Sequence, residues 1–254
     1  MPAEETTPAI VLRARDYAES DRIVTLLTRD YGKISGIAKG AKASRHRFER
    51  KLEPFSHVVL HFRRRPHGQL VFITRAEAAD LHQFRIEEDL GRIALGTYML
   101  ELTDTLTAEA GDAADAYRSL TNALRVLSAG SADAAMRQAF ELRALGWAGF
   151  GLEFARCRVC ASPADTEAVY FVVGRGGVVC ARCRSGVPEG AIRLRMESAA
   201  ALAQLGAMAL EEVGGATPAG ADGAMAIARF LSSIIDRTLR TAEFLDSILN
   251  RGPS

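Results

Sequence analysis

The fold is decided by residues 22–40, RIVTLLTRDYGKISGIAKG, which have the pattern of two successive β-strands. The first run is apolar from Ile23 to Leu27, and the second alternates from Gly32 onward. The glycines of the second run permit the bulges and tight curvature that a small barrel needs. The chain is therefore expected to begin with a curved, all-β region.

Three more short strands flank this stretch. They are predicted at residues 9–12, 58–62 and 70–74, with a hairpin-like turn joining the last two. Five short strands in about 80 residues predict a small closed or nearly closed barrel, for which the OB-fold is the leading candidate. The periodicity alone does not separate an OB-fold from another small barrel. We assign residues 1–80 to an OB-fold domain.

From about residue 83 the apolar period becomes helical. Apolar residues recur every three or four positions over residues 95–106, 117–127, 136–147, 202–209 and 227–239. The predicted fold is α+β: an N-terminal OB-fold barrel followed by a helical bundle that a four-cysteine zinc module interrupts. The predicted segments after the barrel are residues 81–152 (helical, first part), 153–193 (zinc module) and 194–254 (helical, second part).

All four cysteines lie in one segment, as Cys157-x₂-Cys160 and Cys180-x₂-Cys183. Each Cys-x-x-Cys corner can present two thiolates to one side, and two corners complete a tetrahedron around a metal ion. Residues 169–179 have the pattern of a strand, a turn and a second strand, which would return Cys180 to Cys157. The spacing predicts one structural Zn²⁺, with no open coordination position.

Other interpretations of this segment are weaker. Two disulfide bonds suit a small secreted domain, and a redox-active pair would need one reactive motif rather than two matched ones. The thiolates are flanked by Arg156, Arg158, Arg182 and Arg184. These arginines either offset the negative charge of zinc bound by four thiolates or contact phosphate, and the sequence leaves both roles open.

Positive charge is concentrated in the predicted barrel. The chain has a formal net charge of +1, but residues 29–65 hold 11 lysine and arginine residues against three acidic ones. Such a patch is the electrostatic footprint of a surface that binds a polyanion. The residues predicted to contact this polyanion are Lys33, Lys39, Lys42, Arg45, Arg47, Phe48, Arg63, Arg64 and Arg65.

Phe48 has two possible roles. Beside Arg45 and Arg47 it could stack on an unpaired base. It could equally fill the barrel core, because aromatic side chains are often buried. The basic residues could form a solvated loop, but their density favours nucleic acid.

Catalytic signatures are absent from the sequence, including a P-loop, a dinucleotide fingerprint and the H-E-x-x-H and G-x-S-x-G motifs. We therefore predict a binding protein and not an enzyme. No apolar run reaches the ~18 residues of a membrane span. Residues 1–8 lack the pattern of a signal peptide, so a cytoplasmic protein is expected.

The N-terminal sequence resembles that of the RecO family of DNA repair proteins. The resemblance lies in YAESDRIVTLLT (residues 17–28), GKI (32–34), AKGA (38–41), RF (47–48) and LEPF (52–55). The zinc segment, with Gly176 and Gly177 just ahead of the second cysteine pair, resembles the corresponding segment in the cysteine-bearing branch of that family. Ala18 departs from the pattern, since glycine is often expected there.

The resemblance implies a recombination mediator associated with the nucleoid. Such a protein binds single- and double-stranded DNA, anneals complementary strands without ATP, and works with RecR. It also binds the acidic C-terminal tail of single-strand-binding protein, and it helps load RecA onto DNA coated by that protein. The main alternative is an RNA- or ribosome-associated protein with an OB-fold and a zinc ribbon. A thiol-disulfide or zinc-dependent enzyme is a further alternative.

Overall fold

In the computed structural model, the N-terminal strands close into a barrel, as their pattern predicts. The structure describes residues 3–44, 46–48, 51–65, 69–79, 84, 86, 89–109, 111–130, 132–164, 168–187 and 189–249. The chain divides into two units, which are described separately. The first unit comprises Met1–Ala129 and Thr241–Ile248, and the second is centred on Gly130–Arg240.

Five strands form the barrel of the first unit. They are β1 (Glu5–Tyr17), β2 (Asp21–Thr28), β3 (Gly32–Ala38), β4 (His57–Arg63) and β5 (Val71–Ala78). The strand order is β1-β2-β3-β5-β4, and β4 closes the barrel on β1. Neighbouring strands are antiparallel, except for the parallel pair β3–β5. The prediction of an OB-fold barrel is confirmed.

The barrel core follows the alternation of the strands. In β4, Val58, Leu60 and Phe62 are buried, whereas the residues between them are partly exposed. In β3, a Cβ atom on Gly36 would come 2.7 Å from Cγ1 of Ile73, so glycine allows β5 side chains to pack closely there. The register shifts lie in β1 and in the β4–β5 pairing, not at the glycines of β3.

The segment between β3 and β4 also contributes to this core. Phe48 and Leu52 are 1% and 2% exposed and pack among the buried strand residues. The backbone N–H of Ala76 in β5 donates a hydrogen bond to the carbonyl of Arg47 at 3.0 Å. The segment is therefore anchored to the barrel at its middle.

Helices α1 (Leu90–Leu106) and α2 (Ala114–Ala129) complete the first unit, together with most of α6 (Arg240–Leu249). The carboxylate of Asp89 caps α1 by accepting a hydrogen bond from the N–H of Arg92 at 2.8 Å. The carboxylate of Glu101 accepts two bonds from Thr241, at 2.9 Å from the backbone N–H and 2.6 Å from the hydroxyl. The chain thus returns to its first unit after passing through the second.

The second unit combines three helices with a small antiparallel sheet. Its elements are α3 (Ala134–Trp147), β6 (Val169–Val172), β7 (Gly177–Cys180), β8 (Ile192–Leu194), α4 (Met196–Ala207) and α5 (Ala221–Ile234). The sheet has the order β7-β6-β8, and the predicted hairpin before the second cysteine pair is confirmed. The buried amide of Gln138 bonds both the N–H and the carbonyl of Ala219, which ties α3 to the loop before α5.

The two units place α1 and α2 together with the barrel. The boundaries of the four predicted segments stay a prediction. The apolar stripes predicted for the helices are largely buried, including Leu95, Leu124, Phe140, Leu202 and Ile227. Within the described ranges, no helix combines the length and the apolar character needed to cross a membrane.

Candidate metal centre and nucleic-acid interface

The structure brings the four cysteines together. Cys157 and Cys160 lie on a turn ahead of β6, Cys180 ends β7, and Cys183 lies in the 3₁₀ helix that follows. Their four Sγ atoms all lie within 4.8 Å of one another, and no disulfide bond joins them. The pairing of Val169 with Cys180 in the β6–β7 hairpin returns the second pair to the first.

The spacing of the sulfur atoms suits a tetrahedral metal ion. A tetrahedron with metal–sulfur bonds of about 2.3 Å has edges of about 3.8 Å. The Sγ atoms of Cys160 and Cys180 are 3.8 Å apart. The backbone N–H groups of Val159 and Cys180 each donate to Sγ of Cys157 at 3.4 Å. The donor set therefore fits a bound cation with four sulfur ligands.

Neighbouring groups shift the pKa values of two of the thiols. Hydrogen bonds from Ser162 lower the pKa of Cys160 to about 6. Its hydrogen bond with Cys160, together with burial, raises the pKa of Cys183 to about 12. Ionising all four thiols at this spacing is unfavourable without a cation, because like charges disfavour one another's charged forms.

The four arginines around the thiolates contact neutral groups. Arg158 donates to the carbonyls of Gly151 and Gly176 at 2.9 and 3.4 Å, and Arg182 donates to the hydroxyl of Ser162 at 3.1 Å. The guanidinium of Arg184 lies 5.1 Å from the ring centroid of Tyr170. Arg156 donates to the carbonyl of Ala161 at 3.3 Å. These contacts leave both proposed roles of the arginines open.

Six of the nine predicted DNA-contacting residues fall into two groups. The loop group, defined as Lys39, Lys42 and Arg47, follows β3 and lies against the β1–β2 turn. Nζ of Lys42 is 2.9 Å from Oδ2 of Asp16, and its backbone N–H donates to the carbonyl of Ser20 at 3.0 Å. The hydrogen bond from Lys42 lowers the pKa of Asp16.

Other contacts fix the path of the loop group. The carboxylate of Asp21 accepts a bond from the N–H of Gly40 at 2.9 Å, and the guanidinium of Arg47 donates to the carbonyl of Lys39 at 3.0 Å. The side chain of Lys39 is exposed, and it has no partner among the described residues. The loop group thus presents cations beside the β1–β2 turn.

The second group, here called the β4-end group, consists of Arg63, Arg64 and Arg65. Arg64 Nε lies 3.0 Å from Oε1 of Glu5, and its guanidinium lies 5.3 Å from the ring centroid of Tyr31. Arg63 Nε is 3.7 Å from a carboxylate oxygen of Glu4, and Arg65 is exposed. The β4-end group therefore lies by the start of β1, whereas the loop group lies by its end.

The remaining predicted residues have different surroundings. Nζ of Lys33 is 3.2 Å from Oδ1 of Asp104 and also donates to the carbonyl of that residue. The side chains of Lys33 and Asp104 are only 11% and 8% exposed. Phe48 lies in the barrel core, which is the second of its two possible roles. Arg45 lies outside the described residues. DNA contacts by Lys33 and Phe48 stay predictions that their burial does not favour.

Two exposed residues of β1 were not predicted as site residues. Because Ala14 packs against the barrel core and side chains alternate along a strand, Arg15 and Tyr17 face away from that core. The side chain of Arg15 is exposed and has no partner among the described residues, and Tyr17 is 52% exposed. The alternating sequence Arg13-Ala14-Arg15-Asp16-Tyr17 contains this signal, but it precedes the dense basic region, which begins at residue 29.

Comparisons with known proteins agree with the observed fold. Residues 1–82 match the family profile described as recombination protein O N terminal, and residues 87–243 match recombination protein O C terminal. The DNA repair protein RecO of Anaeromyxobacter sp. (strain Fw109-5) is 38% identical over 242 residues, which cover 94% of both chains. The RecO protein of Anaeromyxobacter sp. (strain K) is 38% identical over 247 residues, again 94% of each. The chain belongs to the RecO family of DNA repair proteins.

Proposed function

We propose that this protein is a recombination mediator that binds single- and double-stranded DNA and anneals complementary strands without ATP. The proposal rests on membership of the RecO family and, above all, on the exposed loop group on an OB-fold barrel. In this role the protein binds DNA and is not an enzyme. It acts in the cytoplasm, on DNA of the nucleoid.

Annealing follows from charge neutralisation. Strands that pair must bring two phosphate backbones together, and cations that bind phosphate reduce the repulsion between them. The loop group and the β4-end group lie by opposite ends of β1 and offer two places for such contacts. Phosphate contacts leave base edges free to pair and carry no sequence information, so annealing should show little sequence preference.

We further propose RecR and the acidic C-terminal tail of single-strand-binding protein as partners. RecA is an indirect partner, which is loaded onto DNA coated by single-strand-binding protein. These partners follow from the family alone, and no residue is assigned to them. An affinity measurement with RecR and with an acidic tail peptide tests each partner separately.

The experiment that tests the proposed function is ATP-free annealing of complementary strands coated with single-strand-binding protein. The variant Lys39→Glu/Lys42→Glu should bind DNA of any sequence more weakly. Its salt slope should fall by about 0.7 for each single-strand phosphate that the protein no longer neutralises. The control is Arg118→Glu/Arg229→Glu, which makes the same charge change on exposed positions of α2 and α5.

Two results would contradict the proposal. An unchanged salt slope in the lysine variant would show that the DNA-binding surface lies elsewhere on the protein. Tighter binding to RNA than to DNA of the same length would favour an RNA-associated protein, since RNA offers 2′-hydroxyl contacts.

We propose that the metal is Zn²⁺ and that its role is structural. Four thiolate ligands suit zinc and leave no open position for catalysis. Cys160→Ser should lower the metal content below one ion per chain and unfold the zinc module. Ser162→Ala, which retains all four thiols, should keep the metal. Elemental analysis measures the metal content of each variant. A full complement of zinc in Cys160→Ser would contradict the ligand assignment. A metal other than zinc in the wild-type chain would contradict its identity.

A further inference from the structure

Tyr17 is the most exposed large hydrophobic side chain of the described barrel. It ends β1, pairs in register with Asp21 across the β1–β2 turn, and is 52% exposed. The other aromatic residues of the described strands, such as Phe62, are buried or partly buried. An aromatic ring left in solvent at the end of a strand contributes little to the barrel core.

The backbone positions the Tyr17 side chain away from the barrel interior. Ala14 packs against the core, and no register shift intervenes between Arg13 and the turn, so Tyr17 lies on the same face as Arg15. Ala18 then takes a left-handed conformation with φ of 52°, which turns the chain immediately after the ring. This is the position at which the RecO pattern led us to expect glycine. Tyr17 is thus the last strand residue before a tight turn.

Basic residues lie near this end of β1, together with the carboxylates of Asp16 and Asp21. Arg15 lies two residues earlier on the same face of β1, without a partner among the described residues. On the other side, the β1–β2 turn bears the loop group, through the bonds of Gly40 and Lys42 to Asp21, Ser20 and Asp16. Proteins bind single-stranded nucleic acid by combining exposed aromatic rings with nearby basic residues, because bases stack on the rings while phosphates bind the cations.

We propose that Tyr17 is a stacking platform for one unpaired base of a DNA strand whose phosphates bind Arg15 and Lys39. This inference rests on the proposed function. It assigns the base contact to Tyr17 and not to Phe48, whose ring is in the core. Stacking requires an unpaired base, so the contact favours single strands over duplex. It tolerates any base, because every base has a flat face.

The test compares three DNA ligands with the full-length protein. They are a thymidine oligomer of about 15 nucleotides, which is near the upper end of the site size of one OB-fold, an abasic oligomer of the same length, and a duplex. Tyr17→Ala should weaken binding of the thymidine oligomer by about 10-fold, the effect expected when one base–aromatic stack is removed. Binding of the abasic strand and of duplex should stay unchanged, as should the salt slope.

Two control variants exclude a folding defect. Tyr17→Phe keeps the ring and should bind all three ligands as the wild type does. Phe244→Ala removes an aromatic side chain of similar exposure (44%) from α6 and should also bind normally. Circular dichroism and thermal unfolding should be the same for all variants.

The outcomes separate the two proposals. If the wild type binds none of the ligands, the proposed function fails. If the wild type binds them and Tyr17→Ala binds both the thymidine and the abasic strand as tightly as the wild type does, only the stacking inference fails. Equal weakening for thymidine and abasic strands would also overturn it, because an abasic strand has no base to stack.

Discussion

Lys33 and Lys39 lie six residues apart in the same basic region, and we expect their substitution to affect different properties of the protein. Lys33 is paired with Asp104, and both side chains are about one-tenth exposed. Lys39 is exposed in the loop group, with no partner among the described residues. Lys33→Gln should therefore lower the stability of the first unit, and Lys39→Gln should weaken DNA binding.

The size of each effect follows from the surroundings. Removing one partner of a buried ion pair costs about 3–5 kcal/mol. Because Nε of Arg13 stays 3.4 Å from the Asp104 carboxylate, that charge keeps a partner. We therefore expect a destabilisation of about 2–3 kcal/mol for Lys33→Gln. Lys39→Gln, an exposed change, should alter stability by no more than about 0.5 kcal/mol.

For DNA binding, we expect only the substitution of Lys39 to have an effect. Removing one phosphate contact lowers the salt slope by about 0.7 and weakens single-strand binding about 4-fold at 0.15 M salt. Lys39→Gln should show both changes. Lys33→Gln should show neither at temperatures where it is folded, because its ammonium group already bonds Asp104.

Two measurements check this prediction. Urea unfolding followed by circular dichroism gives the change in stability, and a destabilisation of this size should move the midpoint by about 1 M. Hydrogen exchange of β2 and β3 amides assigns the change to the first unit. Binding to a thymidine oligomer over a range of salt gives the slope. Unchanged stability with a reduced slope in Lys33→Gln would refute the reasoning and place Lys33 at the DNA interface.

Two further predictions concern single substitutions. Gly32→Ala should cost about 2 kcal/mol more than Gly40→Ala in urea unfolding. Both positions have positive φ, but only at Gly32 would Cβ come 2.0 Å from a backbone atom, the carbonyl oxygen of Gly111, so equal destabilisation would contradict the clash. For Asp222, burial opposes ionisation, but bonds from Arg195 outweigh it and hold the pKa below its ordinary value. The wild type should therefore lose stability as pH falls below about 4. Asp222→Asn should lose less over the same range, and parallel pH profiles would contradict the role of this carboxylate.

Local patterns predicted most of the secondary structure, because most strands and helices and both cysteine pairs have a strong local signal. They did not predict β8 or α6, and the last predicted helical run, residues 227–239, passes the end of α5 at Ile234. The alternation of β4 predicts which of its residues are buried, and the spacing of two Cys-x-x-Cys pairs predicts one shared site. The number and length of the strands indicated an OB-fold. The parallel pairing of β3 with β5 has no local sequence signature.

The candidate DNA interface was less predictable, because exposure depends on distant residues. Lys33 and Lys39 cannot be distinguished locally, since the partner of Lys33 lies 71 residues further along the chain. The role of Phe48 depends on how the segment between β3 and β4 passes the barrel. Tyr17 has no signal in the charge density, because its strand precedes the basic region and only the folded chain brings the loop group beside it.

The return of the chain to its first unit has a consequence for synthesis on the ribosome. Thr241 bonds Glu101 within that unit, and the whole second unit lies between them in sequence. The barrel is synthesised first, and roughly 110 further residues follow α2 before Thr241 is made. Their synthesis takes on the order of 10 s at bacterial elongation rates. During this interval the Glu101 carboxylate lacks Thr241 as its donor. We expect the nascent barrel with α1 and α2 to be less stable than the same unit in the released chain.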